Sequence, residues 1–367
     1  MSDFYVGLMS GTSMDGIDAV LVDFENNGVA IRATHTAPYP QDLKDALSKA
    51  IREPLDVPLD PSGELDRRVG ECFRDAARSV IDKADVSSRK VIAIGSHGQT
   101  LRHQPNADEP FSLQIGNPDI IAKGTGVTTV ANFRTADILA GGQGAPLVPP
   151  FHQWLFQSQE SGRVIANIGG IANITVLSAG NSSILGFDTG PGNGLMDAWI
   201  NHHHERPFDR DGAWAASGSV IKPLLDRLLA DPYFGLHAPK STGFEYFNLK
   251  WLQSFGVDQF NAADVQATLC KLSATTISNA IREYAAGTGE IYVCGGGAHN
   301  AELMRRLSLI NSGATVSSTS AAGLDPDWVE AVAFAWLAMR TLNGQTGNLP
   351  SVTGATHKVV LGDIHSP

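Results

Sequence analysis

A single aspartate, Asp188, lies among small residues in segment 186–193, which reads Gly-Phe-Asp-Thr-Gly-Pro-Gly-Asn. The apolar residues before it predict the end of a strand, and the glycines and proline after it predict a rigid turn. A carboxylate with so little bulk around it can face open space and take a proton from a hydroxyl or from water. The alternative is that Asp188 only caps the following turn. Asp-Thr-Gly also occurs in aspartic proteases, but these need two such aspartates and this chain has one such segment.

The first of three glycine-rich segments follows the apolar run 4–9. A tight turn there can point several backbone N–H groups at one anion, and nearby hydroxyls add donors. Glycine is needed because a Cβ would keep a phosphate away from the backbone. The alternative is an ordinary hairpin turn. The residues predicted here to bind the phosphates of ATP are Ser10, Gly11, Thr12, Ser13, Met14, Asp15, Gly16, Ile17 and Asp18.

Two further glycine segments lie in the second half of the chain. Residues 167–173 again read as strand, glycine turn, strand, so two such hairpins on opposing lobes would grip a polyphosphate from both sides. The run Gly295–Gly297 follows a third apolar run and offers a flat backbone surface for adenosine, or it is simply a strand-to-helix turn. The residues predicted to bind ATP are Gly169, Gly170, Asn173, Gly295, Gly296, Gly297 and Asn300.

Polar residues also follow two other β-like runs, 91–94 and 127–130. Ligands of α/β proteins usually bind at the carboxyl ends of strands. Together these side chains would hydrogen-bond a polyol and a carboxylate, although each of them taken singly is better explained as a surface or turn group. A further acid, at the start of the last long helix, is also explained as a helix-start residue. The predicted substrate-binding residues are His97, Gln99, Arg134, Asp137 and Glu330.

Other classes of site are disfavoured by the sequence. The chain has no Gly-Lys dipeptide, hence no Walker A loop, and no G-x-G-x-x-G follows a predicted strand. No serine has the glycine spacing of a nucleophile elbow. A formal net charge of −11 argues against a nucleic-acid-binding surface, while leaving room for a local site for one nucleotide.

The elements that must position these residues alternate between strands and helices, which predicts an α/β protein. Helical patterns cover 62–84, 261–286 and a last long helix opened by Asp325 and Pro326, and a final β run covers 358–361. A chain of 367 residues is expected to form two lobes, and the two similar hairpins suggest a duplicated architecture. We place lobe I at 1–140, lobe II at 141–340 and a return to lobe I at 341–367, with the glycine-rich segment 141–146 as the hinge.

The cysteines and the amino terminus indicate a cytoplasmic protein. Cys72, Cys270 and Cys294 are few and widely spaced, as free thiols in a reducing compartment are. Residues 1–4 have no signal-peptide pattern, and the most apolar helical run, 331–339, is too short to span a bilayer.

Residues 7–18, Gly-Leu-Met-Ser-Gly-Thr-Ser-Met-Asp-Gly-Ile-Asp, resemble the opening signature of the anhydro-N-acetylmuramic acid kinase family of bacterial peptidoglycan recycling. The resemblance covers essentially the whole chain, including segments 96–100, 132–134, 141–146, 167–173, 188–191 and 295–297. It implies an actin-like fold of the sugar kinase/Hsp70 type, with an active site in an interlobe cleft. It also implies ATP with Mg²⁺, a homodimer, and a small anhydro amino sugar as substrate.

The reaction implied by this resemblance adds water to a 1,6-anhydro ring and phosphorylates O6 in the same turnover, giving N-acetylmuramic acid 6-phosphate. Asp188 takes the position of the family's catalytic base. Actin-like kinases usually have an aspartate at the end of the first strand to organise the metal, whereas this chain has Ser10 near that place. The metal ligands are therefore left unassigned.

Two other functions remain open at this point. A conventional amino-sugar 6-kinase of the same fold would phosphorylate a sugar with a free 6-hydroxyl. An actin- or Hsp70-like ATPase would hydrolyse ATP slowly whether or not sugar is present. The fold alone does not choose among the three functions.

Overall fold

Strands and helices alternate along the computed structural model, which describes residues 3–11, 14, 16–25, 28–53, 63–105, 107–180 and 184–367. The α/β class predicted from the sequence is confirmed. The strands are β1 (Phe4–Met9), β2 (Ile17–Asp23), β3 (Ala30–Ala37), β4 (Val91–Ser96), β5 (Gln99–Gln104), β6 (Phe111–Ile115), β7 (Thr129–Ala131), β8 (Arg163–Ile168), β9 (Ile171–Leu177), β10 (Ile184–Pro191), β11 (Glu290–Cys294), β12 (Thr315–Ser318) and β13 (Asp363–His365).

The helices lie between these strands and after them. They are α1 (Gln41–Arg52), α2 (Glu64–Lys83), α3 (Pro118–Thr125), α4 (Thr135–Leu139), α5 (Pro149–Phe156), α6 (Gly194–His204), α7 (Ala213–Ser217), α8 (Lys222–Leu229), α9 (Leu249–Gln253), α10 (Ala262–Tyr284), α11 (Ala301–Ile310), α12 (Val329–Leu342) and α13 (Pro350–Thr353). Within the described ranges, no helix combines the length and the apolar character that crossing a membrane requires.

The chain forms two compact units. Unit 1 comprises Met1–Leu155 and Trp328–Pro367, and unit 2 comprises Phe156–Asp327. Both chain ends therefore belong to unit 1. The segment 141–155 and the whole of α12 also lie in unit 1, whereas the sequence places residues 141–340 in the second lobe. The difference at α12 has a physical cause, because this helix packs against the sheet of unit 1.

Unit 1 is built on a six-stranded sheet in the order β13-β7-β4-β1-β2-β3. Strands β1, β2 and β3 are antiparallel neighbours, while β4 and β7 extend the sheet in parallel with β1. Buried side chains of this sheet and of α1 and α2 form the apolar core, with Phe73 of α2 completely buried. The carboxyl ends of β1, β4 and β7 thus meet at one edge, where Ser10, His97 and Asn132 follow them.

Helix α12 lies close to this sheet because two paired positions have no side chain. Gly7 of β1 is directly opposite Gly95 of β4. A Cβ at Gly7 would lie 1.8 Å from the carbonyl oxygen of Ala331, and one at Gly95 would lie 2.0 Å from that of Phe334. The backbone of α12 therefore rests on the bare backbone of both strands, and the small side chains of the helix allow this approach.

Unit 2 has a five-stranded sheet in the order β10-β9-β8-β11-β12. Its first three strands are antiparallel neighbours, and β11 and β12 continue in parallel with β8. This is the order and direction found in β3-β2-β1-β4-β7 of unit 1, as a duplicated architecture requires. Helix α10 packs against β9 and β10 and supplies much of the core of unit 2. The side-chain oxygen of Asn261 caps the amino terminus of this helix, as the sequence predicts.

Two element predictions near the carboxyl end are wrong. The last long helix begins at Val329, not at Asp325, because residues 325–328 make other contacts. The carbonyl of Pro326 accepts a hydrogen bond from the Gly295 amide at 3.0 Å, and Asp325 Oδ1 accepts one from the Asp327 amide. The run 358–361 forms no strand; β13 follows it at Asp363–His365 and pairs with β7.

Candidate active site

Asp188 is held by three hydrogen bonds to residues within 233–242 of unit 2. Its Oδ2 accepts a hydrogen bond from the Thr242 amide at 3.0 Å. Its own amide donates to the Lys240 carbonyl at 3.0 Å, and its carbonyl accepts from the Tyr233 hydroxyl at 2.8 Å. Among the described residues, nothing donates a hydrogen bond to Oδ1. One carboxylate oxygen is thus fixed by the protein, and the other is available to a ligand.

The surroundings of Asp188 favour its protonated form more than water does. Burial raises its pKa from the ordinary value of 3.8 to about 6, and the negative charge of Glu245 acts in the same direction. The Thr242 amide opposes the shift because it stabilises the charged form. A carboxylate whose pKa lies nearer to neutrality is a stronger base than an ordinary surface aspartate, and it is still charged at pH 7.

Asp188 ends a row of side chains across the sheet of unit 2. It is directly opposite Asn173 of β9, which is in turn opposite Asn167 of β8. Directly paired residues have their side chains on the same face of a sheet. The carboxylate and two carboxamides therefore share one face. In the part of the chain that is described, the Asn173 side chain makes no hydrogen bond, so its amide is also available.

The second glycine turn lies beside this row. The amides of Gly192 and Gly194 donate to the carbonyl of Gly170, and that of Asn193 donates to the carbonyl of Gly169. These bonds join the β8–β9 turn to the segment that leads from Asp188 into α6. The turn predicted to bind phosphate and the predicted catalytic base are thus parts of one hydrogen-bonded assembly.

The third glycine run packs on the same turn. A Cβ at Gly297 would lie 2.5 Å from the Cβ of Ile168, the residue before Gly169, and one at Gly295 would lie 2.6 Å from Oδ1 of Asn167. Asn300, which follows the run, is buried and caps α11 by accepting a hydrogen bond from the Leu303 amide at 3.0 Å. Its carboxamide oxygen therefore already has a partner inside the protein.

Two of the predicted binding glycines of unit 2, Gly169 and Gly296, have open space beside their backbone. A Cβ at Gly169 would meet nothing nearer than 3.7 Å, and the same distance applies at Gly296. Side chains at these positions would fill space next to bare backbone. This is the feature expected of a backbone cradle for phosphate, and it fits a nucleotide.

The first glycine turn is only partly described, because the predicted binding residues Thr12, Ser13 and Asp15 lie outside the described residues. The Met14 amide donates to the Gly11 carbonyl at 3.2 Å, and Met14 has a positive φ of 55°. Ile17 is buried in β2, and Asp18 Oδ1 accepts a hydrogen bond from Thr36 Oγ1. Gly16 closes the turn, since its carbonyl lies 2.9 Å from Ser10 Oγ.

Gln99 supports this first turn from inside unit 1. Its Oε1 lies 2.8 Å from the Ser10 hydroxyl and 3.3 Å from that of Tyr39, and its Nε2 donates to the Gly11 carbonyl. The side chain is completely buried. Its contacts favour a role in holding the glycine turn, while contact with the sugar stays a prediction.

His97 and Arg134 form a buried pair. His97 Nδ1 lies 2.9 Å from the Gly98 carbonyl, which can only accept, so this nitrogen carries the proton. His97 Nε2 then accepts from Arg134 Nη2 at 2.7 Å. Burial first, and the Arg134 charge second, lower the pKa of His97 to about 3. The imidazole is therefore neutral and orients the guanidinium.

Arg134 stays charged although it is buried. Burial lowers its pKa to about 10, while the charges of Glu330 and Asp137 oppose that shift. Its Nη1 donates to the Gly144 carbonyl at 2.7 Å, whereas its buried Nε has no hydrogen-bond partner in the described part of the chain. Glu330 lies in the first turn of α12 and interacts electrostatically with Arg134. The structure thus brings together His97, Arg134 and Glu330 of the five residues predicted for the substrate.

Asp137 has a different environment. It is fully buried, and its Oδ2 accepts from the Gly144 amide at 2.8 Å. Its Oδ1 accepts from Asn348 Nδ2 and Thr353 Oγ1, both at 2.7 Å. Both oxygens are thus used to join the 141–144 loop to the carboxyl-terminal segment. These contacts favour a structural role, and sugar binding by Asp137 stays a prediction.

The sequence analysis missed the stretch 240–245, which holds Asp188. It reads Lys-Ser-Thr-Gly-Phe-Glu, and its glycine after two hydroxyl residues is a turn signal. Its contacts with Asp188 are made by a backbone amide and a backbone carbonyl. Every residue has the carbonyl, and every residue except proline has the amide hydrogen. No side-chain pattern could therefore have identified them.

The family model and the similar curated proteins indicate one family. The family model described as anhydro-N-acetylmuramic acid kinase matches residues 3–367. The anhydro-N-acetylmuramic acid kinase of Shewanella halifaxensis (strain HAW-EB4) is 51% identical over 99% of both chains. That of Shewanella baltica (strain OS223) is 51% identical over 98% of this chain and 97% of the relative. Among solved structures, the activator of the 2-hydroxyisocaproyl-CoA dehydratase from Clostridium difficile with bound ADPNP matches at a TM-score of 0.47 and 12% identity, covering 93% of this chain and 96% of that one. That structural likeness is too low to support an inference.

Proposed function

The chain belongs to the anhydro-N-acetylmuramic acid kinase family, and from this premise we propose that it converts 1,6-anhydro-N-acetylmuramic acid, ATP and water to N-acetylmuramic acid 6-phosphate and ADP in cell-wall recycling. The resemblance noted in residues 7–18 is confirmed by the family model. The chain is an enzyme and a kinase.

One observation supports this chemistry above the others. Asp188 has one oxygen fixed by the Thr242 amide and the other without a donor among the described residues, and it lies beside the glycine turn that joins β8 and β9. A conventional sugar kinase needs a base for a free hydroxyl. An anhydro sugar has no free O6 hydroxyl, so the base must act on water.

In the proposed reaction, the bonds to the water proton, C1, O6 and the γ-phosphorus form and break in one turnover. Asp188 Oδ1 takes a proton from water, and the water oxygen forms a bond to C1. The C1–O6 bond breaks with its electron pair going to O6. O6 then bonds to the γ-phosphorus, and the bond between that phosphorus and the bridging oxygen of ADP breaks. The transferred phosphoryl group takes the place of the general acid of a glycosidase, so one carboxylate is sufficient.

ATP binding is assigned to the glycine segments. Backbone amides of the turn at Gly169 and Gly170 would contact the phosphates, and the surface at Gly295–Gly297 would contact the adenosine. Binding of phosphate is also proposed for the turn at 10–18 of unit 1. Mg²⁺ would enter with ATP and neutralise charge on the phosphates.

Recognition of the sugar is assigned to unit 1. Arg134 is charged, is oriented by the neutral imidazole of His97, and lies next to Glu330. A guanidinium held in this way suits the carboxylate of a muramic acid, since Arg binds carboxylates through two parallel N–H groups. We further propose that the enzyme is a cytoplasmic homodimer, as the family resemblance implies.

A side-by-side substrate assay tests this function. The purified enzyme is given ATP with either the anhydro sugar or N-acetylmuramic acid, which has a free 6-hydroxyl, in water enriched in ¹⁸O. We expect phosphorylation of the anhydro sugar, with the label at C1 of the product and none in its phosphate. Equal use of both sugars would indicate a conventional 6-kinase. Release of labelled phosphate without any sugar would indicate a simple ATPase.

A further inference from the structure

The stretch 240–245, which we call the strap, lies against Asp188. Its Lys240 carbonyl accepts from the Asp188 amide, and its Thr242 amide donates to Asp188 Oδ2, both at 3.0 Å. The strap therefore holds the backbone and the side chain of this one residue at the same time. Two such contacts fix both the position and the rotation of the carboxylate.

The strap is anchored on the glycine turn. The ring of Phe244 lies where a side chain at Gly170 would lie, since a Cβ there would come within 2.1 Å of Phe244 Cζ. A Cβ at Gly194, the first residue of α6, would lie 2.7 Å from Phe244 Cε1. The Phe244 ring is partly exposed. It packs on the backbone at Gly170 and at Gly194, because neither residue has a side chain that would keep it away.

Among the described residues, the charge that acts on Asp188 is that of Glu245, in the strap. The carboxylate of Glu245 lies beside Gly243, the residue after Thr242, since a Cβ at Gly243 would come within 2.6 Å of Glu245 Oε1. Glu245 is exposed, and its negative charge raises the pKa of Asp188, after the larger effect of burial. The ammonium of Lys240 is directed elsewhere: it donates to the Tyr233 carbonyl at 3.2 Å and lies 4.8 Å from the centre of the Tyr233 ring. Tyr233 itself donates to the Asp188 carbonyl, and on the sheet side the neighbour Asn173 is uncharged.

We propose that the strap is a positioning element for the reaction: through the Thr242 amide it occupies Oδ2 of Asp188, so that Oδ1 is the oxygen that receives the proton from water, and through Glu245 it places a negative charge beside the base. This inference rests on the proposed function of Asp188. None of the strap residues needs to contact the reacting atoms.

The two parts of the strap act on the base in opposite directions. The amide stabilises the charged carboxylate, and the Glu245 carboxylate destabilises it. Because a general base works only when deprotonated, kcat falls as the pH falls through the pKa of Asp188. Removing the Glu245 charge is therefore expected to move the acid limb of the kcat profile to lower pH, and removing the amide to higher pH.

The first test is the kcat–pH profile of Glu245→Gln, with Glu160→Gln as the matched control. Glu160 is an equally exposed carboxylate of unit 2 outside the strap. We expect the midpoint of the acid limb to fall by roughly 0.2–0.7 pH unit in Glu245→Gln, the range for a solvent-screened charge pair. The midpoint of Glu160→Gln is expected to match the parent enzyme.

The second test compares Thr242→Pro with Thr242→Ala. Proline removes the amide hydrogen, whereas alanine keeps it and removes only the side chain. We expect Thr242→Pro to lose 10-fold or more in kcat and to move the acid limb to higher pH, with the KM for ATP within about two-fold. Thr242→Ala should keep the parent midpoint. If Thr242→Pro does not fold, the kcat–pH profile of Glu245→Gln alone tests the role of the strap.

An unmoved acid limb in Glu245→Gln would overturn the positioning role of the strap. That result is distinct from a failure of the proposed function. If Asp188→Asn also keeps normal turnover, Asp188 is not the base and the mechanism is wrong. If Asp188→Asn is inactive while the profile of Glu245→Gln is unchanged, the base is correct and only the strap inference fails.

Discussion

At the scale of single residues, the proposed chemistry depends on how the environment of Asp188 differs from that of an ordinary surface carboxylate. Burial and one backbone amide act on it in opposite directions, and burial is the larger effect. The sequence predicts this residue as a candidate because small residues surround it, but sequence alone could not show that Oδ2 is occupied and Oδ1 is not.

Replacement of Asp188 by Asn is expected to abolish turnover. The carboxamide oxygen can still accept from the Thr242 amide, so the fold and the glycine turn should be unchanged, but the side chain cannot take a proton. We expect kcat to fall by about 10²–10⁴-fold, the usual contribution of a general base. Calorimetric titration with an ATP analogue should give a Kd within about two-fold of the parent. Near-normal product formation would remove Asp188 from the chemistry.

The pH dependence of the parent enzyme follows from the same residue. The pKa of Asp188 is raised to about 6, and the base is active above it. We expect kcat to be constant near pH 7.5 and to fall about 10-fold per pH unit below a midpoint near 6. Steady-state rates at saturating substrates, measured from pH 4.5 to 8, test this. A midpoint near the ordinary aspartate value of 3.8 would show that burial does not act on the base as described.

At the scale of elements, hydrophobic periodicity and glycine spacing predict some of the helices and strands of the two units and fail for others. The hairpins around residues 7–18 and 167–173 and helix α10 were predictable, because a two-residue period, a glycine turn or a capping Asn261 marks each of them. The start of α12 was not. Asp325 and Pro326 have the composition of a helix start, but the Pro326 carbonyl is used by Gly295, which lies far away in sequence.

The packing of α12 on the sheet of unit 1 gives a stability prediction. Gly7→Ala would place a methyl group 1.8 Å from the Ala331 carbonyl oxygen, so the helix or the strand must move. We expect the free energy of unfolding to fall by at least about 2 kcal/mol, as overpacking usually causes. Denaturant unfolding measures it. In the control Gly313→Ala, nothing lies within 4 Å of the new Cβ, and the change should be within about 0.5 kcal/mol. Equal stability of both variants would contradict the close contact.

At the scale of the whole molecule, the predicted α/β class and the repeated strand order both appear in the structure. The boundaries were harder to place from sequence. Glycine density pointed to 141–146, whereas the contacts divide the chain after Leu155 and after Asp327. Contacts such as those of Asp137 with Asn348 and Thr353 join residues more than two hundred positions apart. Composition along the chain does not reveal pairings of that kind.

The arrangement predicts that unit 2 folds by itself. Residues Phe156–Asp327 are continuous, and they contain a complete five-stranded sheet with its own apolar core. A fragment of these residues is therefore expected to unfold cooperatively on heating, with the far-ultraviolet circular dichroism of a mixed α/β fold. A fragment without a cooperative transition would show that its core needs the rest of the chain.

The close packing of helix α12 on Gly7 and Gly95 also has a consequence during synthesis on the ribosome. The strands that carry these glycines are translated early, but the helix that covers them is translated near the end. Until then the sheet of unit 1 has one uncovered apolar face, and β7 lacks its partner β13. A nascent chain can thus complete the second unit before the first, and any stalled chain shorter than about residue 342 exposes a surface that a chaperone or protease can detect.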